Sequence, residues 1–454
     1  MAKMTEKNET TQSSVVRLHD LVESGTYDQI QSLMNVLKPP DIAHLLASSP
    51  SRQRTIIWNF FDEELQSEII SFVDEEIVPD LLGGKSAEEI VHVLEHVPAD
   101  DDLTDILQQL PDALTQQVLQ SMDAQDRARV ETLLSYPEDT AGGLMDTDTI
   151  SVRARVTIDV VIRYLRRHNE LPKMTDNIFV VNAKDEFIGL LPITTLLVSD
   201  PAMTVREAMS KEIEPIAALL PENEVAGIFE RYDLVSAPVV DDDGKLIGRI
   251  TIDDVVDVII DEADHSILGM AGLTEEEDAF APILKTARGR AFWLGANLIT
   301  AFIASAVINI FEETIAKVIA LAILMPIVAS MGGVAGSQTL TLVIRNMALG
   351  NLYESNQRWL LNRELAVGAL NGIFWALVVA VVAAIIFQDY LLGVIIAIAL
   401  AINLIVAALA GTLIPSILKS MGIDPAIAGT VVLTTVTDVV GFMSFLGLAS
   451  IFYA

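Results

Sequence analysis

From residue 285 onward the chain is written almost entirely in apolar residues, with its polar positions gathered at the edges of five long runs. These runs are approximately Ala291–Phe311, Val318–Met347, Leu365–Phe387, Leu391–Leu418 and Ala426–Phe452. A helix needs about 20 consecutive apolar residues to cross the hydrocarbon layer of a bilayer. Each run therefore predicts one membrane-spanning helix, five in all. The chain ahead of them is patterned differently. Within residues 15–140, LKPPDIAHLLASSP, GKSAEEIVHVLEHVP and DDLTDILQQLP each pair a Pro, Gly or Asp start with apolar residues at three- and four-residue spacing and a Pro stop. That pattern predicts short helices stacked into a curved solenoid.

Residues 145–262 hold two similar units. The first contains NIFVVNAKDEFIGLLPITTLL (177–197) and the second SAPVVDDDGKLIGRITIDDVV (236–256). In each, two short β-runs are joined through an Asp/Gly-bearing turn and lead into a helix. An amphipathic helix precedes each one, VTIDVVIRYLRRH and NEVAGIFERYDL. The fold class is a multidomain membrane protein: an all-α superhelical N domain, an α/β pair, a connecting helix and an all-α five-helix transmembrane domain. The boundaries are a disordered N-terminus 1–14, the solenoid 15–140, the two α/β units 141–203 and 204–262, the connecting region 263–288 and the membrane domain 289–454.

Charge separates the same two halves. Of the 62 Asp and Glu only seven follow Leu284, against eight of the 29 Lys and Arg, so residues 1–284 carry 55 acids and 21 bases. An acidic body of this kind is the wrong sign for nucleic acid or an anionic lipid surface, and its natural small partners are cations. Acidity also serves solubility, and most of these acids need no other role. The chain has no Cys and six scattered His, which excludes thiolate sites and disfavours a transition-metal cluster. Oxygen-ligated hard cations such as Mg²⁺ or Ca²⁺ remain.

The N-terminal MAKMTEKNETTQSS has no apolar core and is not a signal peptide. Lys285, Arg288 and Arg290 precede the first span, Arg345, Arg358 and Arg363 flank the second connection, and Lys419 lies between spans four and five. By the positive-inside rule the N-terminal body is cytoplasmic, and after five crossings the C-terminus lies outside.

Candidate chemistry begins with Asp438, the one charged residue between Ala426 and Ala454. A carboxylate at that depth costs roughly 2.5–3.5 kcal/mol on insertion scales and generally faces a bundle interior or a water-filled path. It reads either as an ion site or as a structural acid bonded to Thr434, Thr435 or Thr437. Segment two carries Pro326 and glycines at 332, 333 and 336, so it is expected to bend or partly unwind and present carbonyls to a pore. Gly332 and Gly336 also qualify as a small-residue packing face. In the soluble half, Asp101 and Asp105 share a helix face, as a cation patch or as capping acids, and Asp254, Asp257 and Asp261 share another, as a cation site or a solvated acidic linker.

The two α/β units resemble a pair of cystathionine-β-synthase (CBS) domains. The second keeps that family's nucleotide pattern as Gly248, Thr251 and Asp254, whereas the first has Thr194 and Thr195 where the Asp is expected. The whole order, with Pro326…Gly332-Gly333-x-x-Gly336-x-Gln338 in segment two and Asp424-Pro425-Ala426…Thr434-Thr435-x-x-Asp438-x-x-Gly441 in segment five, resembles the MgtE family of magnesium transporters. The resemblance covers nearly the whole chain from about residue 15.

The resemblance implies an inner-membrane homodimer that is no enzyme and has Mg²⁺ as its ion. Its pore lies between two membrane halves, lined mainly by segments two and five, with Pro326, Gly332, Gly333, Gly336, Gln338, Thr434 and Thr435 as lining candidates. Asp438 from each subunit would hold a hydrated Mg²⁺. The connecting, or plug, helix would close the pore when cytosolic Mg²⁺ occupies Asp101, Asp105, Asp233, Asp254, Asp257, Glu262 and Asp424. Adenine nucleotide is a further implied ligand, at Thr251 and Asp254. Asn223 departs from the family pattern at one sensor position, beside Glu224, and Thr430-Val431-Val432 after Gly429 departs where relatives carry a proline. Alternatives are a broader Mn²⁺ or Co²⁺ transporter, a Mg²⁺ exchanger, or a CBS-regulated cation sensor or enzyme. No GxxxxGK[ST] motif supports primary pumping.

Overall fold

The computed structural model describes residues 37–94, 97, 100–168, 171–273 and 279–453. The expected disordered N-terminus, 1–14, and the first part of the expected solenoid, 15–36, lie outside the described residues. The chain divides into two compact bodies, one ending at Ile259 and one beginning at Ile260, with residues 279–282 grouping with the first.

Among the described residues the first body opens with eight short helices: α1 (Pro39–Ala47), α2 (Ser51–Trp58), α3 (Glu63–Ile70), α4 (Val78–Leu82), α5 (Ala87–Leu94), α6 (Asp100–Gln108), α7 (Asp112–Ser121) and α8 (Ala124–Leu133). Their starts are set locally. Pro39 occupies the first turn of α1, the Asp62 carboxylate accepts from Leu65 N, and Ser86 with Glu89 exchanges hydrogen bonds ahead of α5. Packing runs from each helix to the second one along: α1 on α3, α2 on α4, α3 on α5, α5 on α7 and α6 on α8. This is the contact pattern of a stacked solenoid, and one continuous core of Leu46, Trp58, Ile69, Leu82, Ile90 and Leu107 runs through it.

Two three-stranded sheets follow. In one, β1 (Ser151–Arg153) pairs parallel with β2 (Asn177–Val181), which pairs antiparallel with β3 (Phe187–Pro192). Helix α9 (Ile158–Leu165) crosses from β1 to β2, and α10 (Ile193–Val198) and α11 (Val205–Ala208) follow β3. In the other, β4 (Ile216–Ala217), α12 (Glu222–Tyr232), β5 (Ser236–Val240) and β6 (Leu246–Thr251) repeat the plan. Each antiparallel ladder shifts register near its end, at Val180/Val181 and at Val239/Val240. Hydrogen bonds from Phe187 N to Gly244 O (2.9 Å) and from Leu246 N to Asp185 O (3.1 Å) tie the two hairpins together. Helix α13 (Ile252–Met270) leaves β6 directly.

The second body holds the end of α13 and the helices α14 (Ile283–Ile310), α15 (Glu312–Lys317), α16 (Ala320–Ala348), α17 (Glu354–Phe387), α18 (Tyr390–Ser420) and α19 (Pro425–Tyr453). Five of these, all but the short α15, are long and apolar enough to cross a membrane. Helix α18 is the most buried of the five and packs on α16, α17 and α19, while α14 packs on α19. The expectation that segment two partly unwinds is corrected: α16 is helical throughout, with Pro326 inside it. Pro326 is the seventh residue of α16, beyond the first turn, so its missing N–H removes one ladder bond, and tight packing at Gly332 and Gly336 keeps the helix whole.

Candidate ion pathway and acidic cluster

One face of α16 presents Ser330, Gly333, Val334, Ser337, Gln338 and Thr341, at the three- and four-residue spacing of a single helix face. With Thr434 of α19 these residues line a groove of about 700 Å³. The three glycines of the motif separate. Gly333 opens onto the groove and a Cβ there would meet nothing. Gly332 and Gly336 are buried on another side of the helix, where a Cβ would come within 2.2 Å of Asn403 Nδ2 and 2.9 Å of Leu433. Their role in this protomer is close packing, and neither lines the groove. Pro326 is exposed and also outside the groove lining.

Asp438 lies four residues beyond Thr434, on the same face of α19, and is half-buried. The threonines around it do not bond to it. Thr434, Thr435 and Thr437 donate to the carbonyls of Thr430, Val431 and Thr434 in their own helix. Asp438 meets no hydrogen-bond or ion-pair partner among the described residues. A second membrane-level acid escapes sequence reading because it stands at the edge of an apolar run. Glu364 of α17 is buried, accepting from Thr339 Oγ1 (3.2 Å) and from Arg363 (2.8 Å). Helix α17 begins eleven residues before its expected edge at Leu365, which takes Glu364 inside the span.

In the first body the acids of α6 meet the start of α13. Asp101 is buried, its Oδ1 has no hydrogen-bond partner among the described residues, and burial with the charges of Asp254, Asp102, Asp146 and Asp105 holds its pKa well above the usual carboxylate range. Burial, then Glu75, Glu138, Asp102 and Asp254, pushes Asp105 to about 8. Burial and Asp253 push Asp254 to about 7, against the pull of its hydrogen bonds from Thr251. Asp102 rises to about 6 through burial, with Lys173 opposing. Burial, with Asp253 and Asp74, also raises Asp257. Like charges gathered this closely disfavour the ionised state unless protons or a cation neutralise them. Among the described residues no three such side chains form a closed set of direct metal ligands.

The remaining candidates lie elsewhere. Asp233 is exposed, in the left-handed conformation that ends α12. Glu262 is half-buried on α13, in the second body. Asp424 Oδ1 accepts from Ala426 N at 2.7 Å, capping α19, and its Oδ2 meets His265 Nε2. Thr251 is buried, donating from its backbone N (3.2 Å) and Oγ1 (2.9 Å) to Asp254 Oδ2.

A stacked helical domain, paired CBS-type sheets and five apolar helices with a groove that carries Ser, Thr and Gln side chains define a multi-pass membrane protein with a large extramembrane body. The comparisons with known proteins agree. A family profile described as "Divalent cation transporter" matches residues 325–448, one for the MgtE intracellular N domain matches 37–139, and one for the CBS domain matches 205–261. Magnesium transporter MgtE of Bacillus subtilis is 28% identical over 98% of this chain and 99% of its own length. Magnesium transporter MgtE of Thermus thermophilus is 29% identical over 96% of this chain and 97% of its own. Among solved structures, the cytosolic domain of the Mg²⁺ channel MgtE in complex with ATP is 30% identical, covering 54% of this chain and 99% of that one, with a TM-score of 0.49. The chain belongs to the MgtE family.

Proposed function

We propose that the protein is a homodimeric, Mg²⁺-gated Mg²⁺ channel, and no enzyme, that admits Mg²⁺ across the inner membrane down its electrochemical gradient. The observation that carries this reading is Asp438, a membrane-level carboxylate with no partner among the described residues, on the same helix face as the groove residue Thr434. An acid kept in a membrane helix without a protein partner is suited to an ion. Mg²⁺ sheds its water reluctantly, so one carboxylate from each of two subunits, acting through water, would balance its charge. Ser337, Gln338 and Thr434 would contact that water shell, with Gly333 giving it room. The protein would sit with its N-terminal body in the cytoplasm and its C-terminus outside. Adenine nucleotide would bind at Thr251 and Asp254.

In this reading Asp101, Asp105, Asp254 and Asp257 are the cytosolic sensor, joined by Asp233, Glu262 and Asp424. Supporting it is the buried, unpartnered Asp101 oxygen among acids that repel one another. Mg²⁺ favours whichever arrangement brings these acids together, and a ligand that binds one state better shifts the population toward it.

The test is Mg²⁺ influx into liposomes holding the purified protein, native against Asp438→Ala, across internal Mg²⁺ concentrations. Native flux that falls as internal Mg²⁺ rises, and that Asp438→Ala abolishes, is the expected result. A folded, dimeric native protein that passes no Mg²⁺ at low internal Mg²⁺ overturns it. Flux of Mn²⁺ or Co²⁺ in its place would assign a different ion to the same pathway.

A further inference from the structure

Asn403 lies near the middle of α18, in an otherwise apolar stretch, and is fully buried. Its Nδ2 donates to Val328 O of α16 at 2.9 Å, and its Oδ1 has no partner among the described residues. The amide fills a slot made by two glycines on two different helices. A Cβ on Gly332 of α16 would sit 2.2 Å from Nδ2, and one on Gly441 of α19 would sit 2.8 Å from it. No side chain at either glycine can coexist with Asn403 as placed. The same Gly441 Cβ would lie 3.1 Å from Val328 Cγ1, so α16, α18 and α19 meet around this one amide.

Both glycines adjoin the ion pathway. Gly332 immediately precedes Gly333, which opens onto the groove, and Gly441 follows Asp438 by three residues, less than one turn of α19. We propose that Asn403 is a positioning residue of the pathway: it fixes the spacing and register of α16 against α19, and so the distance from the Asp438 carboxylate to the groove face of α16. An interhelical amide bond is one of the few directional contacts available inside a bilayer, because apolar side chains pack equally well in several registers. A buried acceptor left without a partner is a cost, which Leu or Ala in its place would remove. A hydrated divalent ion senses the spacing of the groups around its water shell, so Asn403 sets discrimination between ions as well as rate.

This inference rests on the reading of the protein as a divalent cation channel, and native flux tests that reading separately. The experiment compares Mg²⁺ influx into liposomes for the native chain, Asn403→Leu and Gly441→Ala. Three quantities are read: maximal flux, half-saturating Mg²⁺, and the Mg²⁺ to Co²⁺ flux ratio. Both variants are expected to remain dimeric in detergent, with half-saturating Mg²⁺ raised and the ion ratio lowered several-fold. Native half-saturation and a native ion ratio in Asn403→Leu overturn the proposal. So does flux that falls only in proportion to the folded dimer recovered, which is what a purely structural role produces. If Asn403→Leu does not fold, Gly441→Ala decides by the same quantities, because it crowds the amide and leaves its donor in place. A native chain without flux removes the channel reading instead, and the inference with it.

Discussion

His265 Nε2 lies 2.5 Å from Asp424 Oδ2, joining α13 to the start of α19. The same carboxylate caps α19 through Ala426 N, so one acid serves both helices. One turn on, Gly269 packs against Ala426, where a Cβ would come within 3.0 Å of the Ala426 Cβ. The connecting helix is thus held to the last membrane helix by a polar contact and a close backbone approach.

Loosening that contact should weaken closure by internal Mg²⁺. His265→Ala is expected to need several-fold more internal Mg²⁺ for half-inhibition of flux, and His265→Gln, which keeps a donor, to recover part of the difference. An unchanged inhibition curve for His265→Ala would show that this contact does not contribute to gating.

The acids of α6 and α13 give the first body a pH dependence of defined sign. Asp102, Asp105 and Asp254 have folded pKa values of about 6, 8 and 7, above the ordinary 3.8. Over that interval the folded state binds more protons than the unfolded state, so stability falls as pH rises from about 4 to 8. Without divalent cations, thermal unfolding of the first body should move to lower temperature across this range. Saturating Mg²⁺ should flatten the trend, because the cation replaces the protons and releases them. A melting temperature independent of pH in chelator would contradict the clustering.

Two glycine substitutions should separate packing from conduction. A Cβ on Gly411 would lie 2.8 Å from the backbone oxygen of Gly336, which cannot swing aside, so Gly411→Ala should cost about 1–3 kcal/mol of membrane-domain stability. Gly333 has open space around it, so Gly333→Leu should unfold like the native chain yet carry less Mg²⁺. Unfolding in denaturant and liposome flux, measured on both variants, check the contrast.

Arg54 is buried and donates to Leu46 O (2.9 Å) and Ala47 O (3.2 Å), with Asp80 at 3.4 Å. It satisfies the last carbonyls of α1 from the next helix. Arg54→Leu strands the Ala47 carbonyl, while Leu46 O keeps its bond from Ser49 N (3.1 Å), at a cost of about 1–3 kcal/mol. The melting temperature of the first body should drop accordingly, while the flux of protein still folded remains native. Normal thermal stability in Arg54→Leu would mean that water replaces these contacts.

The elements with strong periodicity were legible in the sequence: the five spans, the paired hairpins and the stacked helices all follow from spacing alone. Asp438 stood out because a lone charge in an apolar run is conspicuous. Other features depend on facing, which spacing does not encode. Gly332, Gly333 and Gly336 read alike in the motif, yet only Gly333 meets the groove. Pro326 suggested a break, and packing kept α16 whole. The meeting of Asp101 with Asp254, and of His265 with Asp424, joins residues some 150 positions apart, beyond the reach of any local pattern. Asn403 was a single polar letter in a hydrophobic segment, and its slot exists only once three helices have assembled.

The two sheets share strand order, pairing sense and the place of their register shift, which marks the pair as an internal duplication. Duplicated copies need not keep the same tasks. Where β6 runs on into Thr251, Ile252, Asp253 and Asp254, β3 runs on into Pro192, Ile193, Thr194 and Thr195. The acidic turn therefore survives in one copy only, and the other offers hydroxyls without charge. Stoichiometry follows from that asymmetry: any divalent ion held at this turn should count once per protomer, not twice.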